Sequence, residues 1–240
     1  MAQPVMAQPV LANPAPAPLV WLLLLLSATT GMVDAASILG MGKVFTANMT
    51  GNVVFLGFAA AATPGFVPLP YLLALGAFML GAVAAGRIGR ASRLRKLHHQ
   101  LMVAAVIESG LLALAGLFAL STAFAAGEAE ARVLPMIALT AGAMGFRNAT
   151  VRQLKVPDLT TTVLTLTITG IAADAHRAEG AAPVMRTRLG AVAMVLAGAT
   201  FGAVLFARFG MAATLFTTAA IVLLGTLAFA RHPHIIAWQR

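Results

Sequence analysis

The sequence predicts an all-α integral membrane protein: six transmembrane helices as two inverted three-helix repeats, each with a broken or re-entrant Thr/Asn/Gly-rich segment. Three observations carry that prediction. Of 240 residues, 60% are hydrophobic and only 10% charged, with a mean hydropathy of +0.91, whereas a soluble protein keeps about a quarter of its residues charged to face water. Apolar runs recur at about the 20-residue length that crosses a bilayer. A short motif in the first half returns, in order, in the second. The scarcity of charge excludes a water-soluble enzyme. The absence of cysteine excludes disulfides, thiolate metal sites and cysteine nucleophiles.

Residues 1–17 open with a tandem Met-Ala-Gln-Pro-Val and continue Pro/Ala-rich and uncharged, a composition that favours a disordered leader over a helix. No basic stretch precedes the next apolar run and no clean small-residue cleavage site follows it, so that run reads as an uncleaved first span rather than a signal peptide. A first membrane repeat is expected over 18–125, a second over 132–232, and a cytoplasmic tail over 233–240. The spans are placed at about 19–40, 68–87, 101–122, 133–150, 188–207 and 211–230. Two shorter stretches, about 44–62 and 158–173, are also apolar or Thr-rich and do not resemble ordinary lipid-facing helices.

Charge placement decides the count. With both termini cytoplasmic, six spans put Arg87, Arg90, Arg93, Arg95, Lys96, Arg147, Arg152, Lys155, Arg177, Arg186, Arg188, Arg231 and Arg240 on the inner side. Only Lys43, Arg132 and Arg208 of the 16 basic residues remain outside, as the positive-inside rule requires. Eight spans would send the 177–188 cluster to the side opposite Arg87–Lys96. The net charge of +9 and pI of about 11.7 are then a topology signal, and no nucleic-acid partner is expected. The lipid bilayer is the expected partner, with the basic loop and its His98 and His99 drawn to anionic headgroups.

In the repeat, Gly31-Met32-Val33-Asp34-Ala35 corresponds to Gly145-Phe146-Arg147-Asn148-Ala149. Val44-Phe45-Thr46-Ala47-Asn48-Met49-Thr50-Gly51-Asn52 corresponds to the Thr-rich run from Asp158 to Thr165. Three spans per half is an odd number, so the halves enter the membrane in opposite directions, as in many secondary transporters. A polar backbone at membrane depth must be buried in protein or face a water-filled cavity. These residues, with Met144 and Pro157, resemble the YoaK-like family of bacterial polytopic inner-membrane proteins, a domain of unknown function. The resemblance covers nearly the whole chain after the leader. It implies a multi-pass protein of the bacterial inner membrane and supplies no activity. Where the family more often has Thr-Gly, this chain has Thr165-Leu166.

The candidate site follows from what is polar inside the spans. Asp34 is an intramembrane carboxylate, a group that costs about 2.5–3.5 kcal/mol to insert and so faces a partner or a cavity. It is read either as a solute-binding, proton-coupling or cation-coordinating carboxylate or as a buried acceptor that caps a broken helix or binds Thr and Asn donors, with Asn148, a further solute-binding candidate, as its neutral counterpart. Glu108 is the second such carboxylate, a coupling group or a protonated hydrogen-bonding one. Asn48, Thr50, Gly51 and Asn52, with Thr161, Thr162 and Thr165, offer hydroxyls, amides and half-helix N-termini that suit an anionic or carbonyl-bearing solute. The competing reading has them bond to neighbouring helix carbonyls. Arg147, at the end of the fourth span, and Arg152 are each able to assist an anion, with Arg152 the better topology anchor. Gly198-Ala199-Thr200-Phe201-Gly202 fits close helix packing.

No metal or cofactor is expected, since His98, His99, His176, His232 and His234 lack ligand spacing. No enzyme is expected either, for want of a nucleophile–base pair. The expected function is a transporter or channel for a small polar or anionic solute, proton-coupled. The alternative is a non-transporting membrane scaffold or lipid-binding protein, its polar segments sealed by mutual hydrogen bonds. A homo-oligomer is left open.

Overall fold

The computed structural model describes residues 15–91, 96–123, 129–154, 168–169 and 182–237. Most of the expected leader and the Thr-rich segment bearing Thr161, Thr162 and Thr165 lie outside the described residues. Among the described residues the regular elements are all helices: α1 (Ala17–Gly40), α2 (Met49–Ala60), α3 (Pro68–Ala91), α4 (Leu97–Ala123), α5 (Ala129–Gln153), α6 (Ala182–Ala230) and the short α7 (Pro233–Ala237). Each expected span falls within a helix. Stretches of α1, α3, α4 and α6 are long and apolar enough to cross a membrane. Helix α5 has 25 residues, about 38 Å of length, but its sequence carries more charge.

Helix α6 has 49 residues, about 74 Å and more than twice a hydrocarbon core. It is broken at Gly210, whose φ of 78° and ψ of −177° are not helical. The contacts along it show that it doubles back. Gly190 lies at Leu24, Gly198 at Ala28, Gly202 at Met32, and Phe206 and Met211 at Gly40, while Gly225 has returned to Leu25. Residues 182–209 therefore run parallel to α1, and 211–230 run the opposite way.

Two helix pairs dominate the packing, α1 with α6 and α3 with α5, and α4 lies against both α5 and α6. The pairs are built alike. A Cβ at Gly198 would strike the carbonyl of Ala28, and one at Gly31 the carbonyl of Val195; a Cβ at Gly81 would strike the carbonyl of Gly142, and one at Gly145 that of Phe78. Gly31 and Ala28 stand to Gly145 and Gly142 at one constant offset. Gly198 and Val195 stand to Gly81 and Phe78 at another. Such approach brings backbones into dispersion contact, which matters where lipid supplies no hydrophobic drive between helices. Helices α3 and α5 also run parallel, with Gly81 at Gly142 and Gly89 at Gln153. Helix α1 crosses α5 in the opposite sense, since Thr140 reaches Met41 while Arg147 reaches Leu26.

The interior holds Leu19, Leu22 and Leu23 of α1 with Leu112, Ile137 and Leu215, all fully buried, while Leu80 and Phe209 are each 71% exposed. Large apolar side chains on the outer face are what a lipid-facing surface carries, not a water-facing one.

Candidate functional site

The first polar centre is the break after α1. Beyond Gly40 the chain takes left-handed backbone at Gly42 and Lys43 (φ 78° and 63°) and turns back along α1 until the Ala47 N–H reaches Asp34. Asp34 lies six residues, about 9 Å, before the end of α1. Helix α2 then leads away. Its 12 residues make about 18 Å, too short to cross about 30 Å of hydrocarbon.

Two side chains hold this bend. Asn52 is fully buried; its Oδ1 accepts the Phe45 N–H at 2.9 Å and its Nδ2 donates to the Phe45 carbonyl at 2.6 Å. The amide thus pairs with both backbone groups of one residue, as a neighbouring strand would. Asp34 Oδ1 accepts the Ala47 N–H at 3.0 Å, and Ser37 Oγ donates to the Asp34 carbonyl at 3.0 Å. The Phe45 N–H and carbonyl and the Ala47 N–H are thereby satisfied within the protein, as burial demands.

The Phe45 ring covers Gly51, leaving no room for a Cβ. Phe55 stacks on Phe45 at 6.0 Å and meets Phe66 and Tyr71 at 5.4 and 5.6 Å, with Lys43 Nζ 5.5 Å over the Phe66 ring. These contacts fasten α2 to the start of α3. Of the expected site residues, Asp34, Gly51 and Asn52 come together here. Asn48 caps α2 without a side-chain bond, and it and Thr50 are exposed on its first turn. Thr46 is buried with its Oγ1 unpartnered.

The second centre is where α1, α4 and α5 cross. Arg147 and Glu108 are 2% and 3% exposed, and Arg147 Nη2 donates to Glu108 Oε1 in an ion pair. Arg147 Nη1 donates to the Leu26 carbonyl at 3.0 Å and to Thr30 Oγ1 at 2.9 Å, and Thr30 in turn donates to the Leu26 carbonyl at 2.9 Å. Arg147 Nε is buried without a partner. Asp34, one turn beyond Thr30 on α1, lies within electrostatic reach of Arg147.

A cavity of about 20 Å³, walled by Leu26, Leu101, Ala104 and Thr226, adjoins the pair; it has room for about one water. A second cavity of about 20 Å³ shares Ala104 and Thr150 with it and extends to Gln100 and Gln153. At the opposite end of the helices a larger cavity of about 360 Å³ is lined by Met41, Tyr71, Val133, Leu134 and Ile137.

Arg147 corrects one expectation. Counting cations by loop placed it with the inner-side residues, yet it is buried against three helices, because Glu108 neutralises it and Leu26 and Thr30 accept from its Nη1. The signal was a single acid and a single arginine in two different expected spans, where each is less costly buried as a pair than alone. Asn148 beside it is half-buried and has an interaction of its own. Among the described residues no three His, Asp or Glu side chains come together as a metal site would need.

Long apolar helices with apolar outer faces, enclosing two polar centres, define a multi-pass all-α membrane protein. The chain belongs to the family described as "Protein of unknown function (DUF1275)", whose model matches residues 22–228. It is similar to the "UPF0700 transmembrane protein YoaK" of Bacillus subtilis (strain 168), 32% identical over 154 residues. That match covers 64% of this chain and 65% of the relative, just under two thirds of its length. No solved structure matches.

Proposed function

We propose that the protein is an inverted-repeat membrane transporter for a small polar or anionic solute, moved with protons. Its six spans are α1, α3, α4, α5 and the two limbs of α6, with both termini cytoplasmic in a bacterial inner membrane. The opposed directions of α1 and α5, and the matching glycine contacts of α1 with α6 and of α3 with α5, support the inverted repeat. The half-length α2 behind its break supports a discontinuous helix of the kind that transporters place at their sites. Neither nucleic acid nor a cofactor has a part in this reading, and no catalytic step is assigned.

The observation that carries it is the Arg147–Glu108 pair, buried at the crossing of the two halves with the guanidinium Nε–H unused. A pure scaffold gains little from such a pair, since apolar residues of similar volume are often as stable or more so. Ionisable groups inside a membrane bundle mark solute or proton pathways. A second reading, the non-transporting scaffold or lipid-binding protein, is favoured by Asp34 and Asn52, whose polar atoms are spent on the backbone of the bend.

The test is uptake of labelled lactate, phosphate and serine into proteoliposomes under an imposed proton gradient. Accumulation above empty vesicles is expected for at least one solute, abolished in Arg147→Gln and reduced in Asp34→Asn and Thr50→Val at equal amounts of folded protein. No accumulation of any of the three, or full flux in Arg147→Gln, favours the scaffold.

A further inference from the structure

We infer that Glu108 is the resident occupant of an anion site whose cation is Arg147, and that a small monocarboxylate replaces it there together with one proton. This deepens the transport reading and rests on it for placing a solute at this crossing.

The geometry of the guanidinium is the starting point. Nε and Nη2 form one edge of the fork, the edge that grips a carboxylate by two parallel N–H bonds. Glu108 engages that edge through Nη2, while Nε has no partner. The opposite nitrogen, Nη1, is committed to Leu26 and Thr30 of α1. Arg147 is therefore held in place from one side and half-occupied on the other, in a residue 98% withdrawn from solvent by its 2% exposure.

Charge balance then fixes what accompanies the solute. An anion added beside an ionised Glu108 would leave an uncompensated negative charge in a low-dielectric interior, at a cost of several kcal/mol. If Glu108 takes up a proton, it releases Nη2, and the solute carboxylate accepts from Nη2 and Nε in its place. One anion and one proton arrive, and the buried net charge does not change. The groups facing the pair leave Glu108 as the acid that exchanges. Helix α1 presents Thr30 and Asp34, and the Asp34 carboxylate already accepts the Ala47 N–H. On α4, Ser109 donates to its own helix at Ala105; on α5, Thr150 donates to Phe146; α6 presents Thr226.

Space sets the class. The adjoining cavity of about 20 Å³ holds about one water, so a solute reaches the Nη2–Nε edge only as the protonated Glu108 side chain rotates off it, and the room this opens is small. Its walls at Leu26, Leu101, Ala104 and Ala105 are apolar. A carboxylate with a very short apolar tail fits this description, and a dicarboxylate does not.

The experiment uses the full chain in phosphatidylethanolamine–phosphatidylglycerol nanodiscs, titrated with acetate and formate in weakly buffered solution. Where Glu108 is charged in the free protein, affinity is expected to fall about tenfold per unit rise in pH, with one proton taken up per anion, by linkage. Difference infrared spectra should show a carboxylic-acid carbonyl appearing on acetate addition in the wild type and not in Glu108→Gln. Glu108→Gln should bind with no pH dependence, and Arg147→Lys, which keeps the charge but loses the fork, at least tenfold more weakly than wild type. Absence of binding by both anions, binding without proton uptake, or unaltered pH dependence in Glu108→Gln overturns the inference. Binding with proton uptake but no flux in vesicles sinks the transport reading and leaves the site standing. Flux of another solute with no acetate binding does the reverse.

Discussion

Replacing Gly198 with alanine tests the packing of the two helix pairs directly. The added Cβ would meet the Ala28 carbonyl oxygen and would sit 2.5 Å from the Ala28 carbonyl carbon and 2.7 Å from its Cα. Ordinary carbon contacts lie at about 3.5–4.0 Å, so α1 and the first limb of α6 must part by roughly 1 Å. A gap of that size forfeits about a quarter to a half of each dispersion contact along the seam. The resulting loss, of the overpacking kind, is about 1–3 kcal/mol. Gly81→Ala meets the Gly142 carbonyl in the same way, with the Gly142 carbon at 2.9 Å and the Phe146 nitrogen at 3.0 Å, and should cost a similar amount. Gly86→Ala has nothing within 4 Å and should instead gain up to about 1 kcal/mol from helix propensity. Thermal unfolding of the three purified variants in one detergent, followed by circular dichroism, reads the order. If Gly198→Ala unfolds no earlier than Gly86→Ala, the close seam is not what holds these helices together.

Other perturbations address the polar centres and the topology. Asn52→Leu leaves the Phe45 N–H and carbonyl buried without partners and should destabilise by roughly 2–4 kcal/mol, read as a lowered unfolding midpoint; an unchanged midpoint would mean the bend is not anchored there. Glu108→Leu strands a buried guanidinium at a cost of about 3–5 kcal/mol, and adding Arg147→Met should recover most of it. A double-mutant cycle in which the two losses simply add would contradict the pairing. Because the chain has no cysteine, single cysteines report sidedness. Ala61→Cys should react with an impermeant maleimide in intact cells and Arg231→Cys only after permeabilisation; equal labelling of both would refute the six-span arrangement.

Hydropathy alone located the long helices, because about 20 apolar residues in a row have few uses outside a bilayer. It did not reveal which helix packs on which. In these helices both the lipid-facing and the buried faces are apolar, so no pattern of polarity marks the inner side. Small residues carried that information instead, and Gly198 and Gly202 do lie on α1 at Ala28 and Met32. Asn52 and Asp34 were found by their polarity. Polarity cannot distinguish a ligand for solute from a partner for a stranded peptide, and both side chains bond the bend. The Arg147–Glu108 contact joins residues 39 apart in the chain on different helices, and only the tertiary arrangement of α4 against α5 brings them together.

The joint at Gly210 also bears on how the chain is made and how it moves. One non-helical residue connects two limbs that run in opposite directions, so there is no slack for one limb to shift along the membrane normal without drawing the other. The first limb is seated on α1 through Gly198 and Gly202, and the second on α4 where the Phe216 ring lies 3.1 Å from the site of a Gly116 Cβ. The pair acts as a yoke between the helix that carries Thr30 and the helix that carries Glu108, the two sides from which Arg147 is held. In the six-span arrangement the same joint carries Arg208 across the bilayer at its tip. The two limbs must then insert as a single hairpin, their combined apolar length overriding the one cation they take with them.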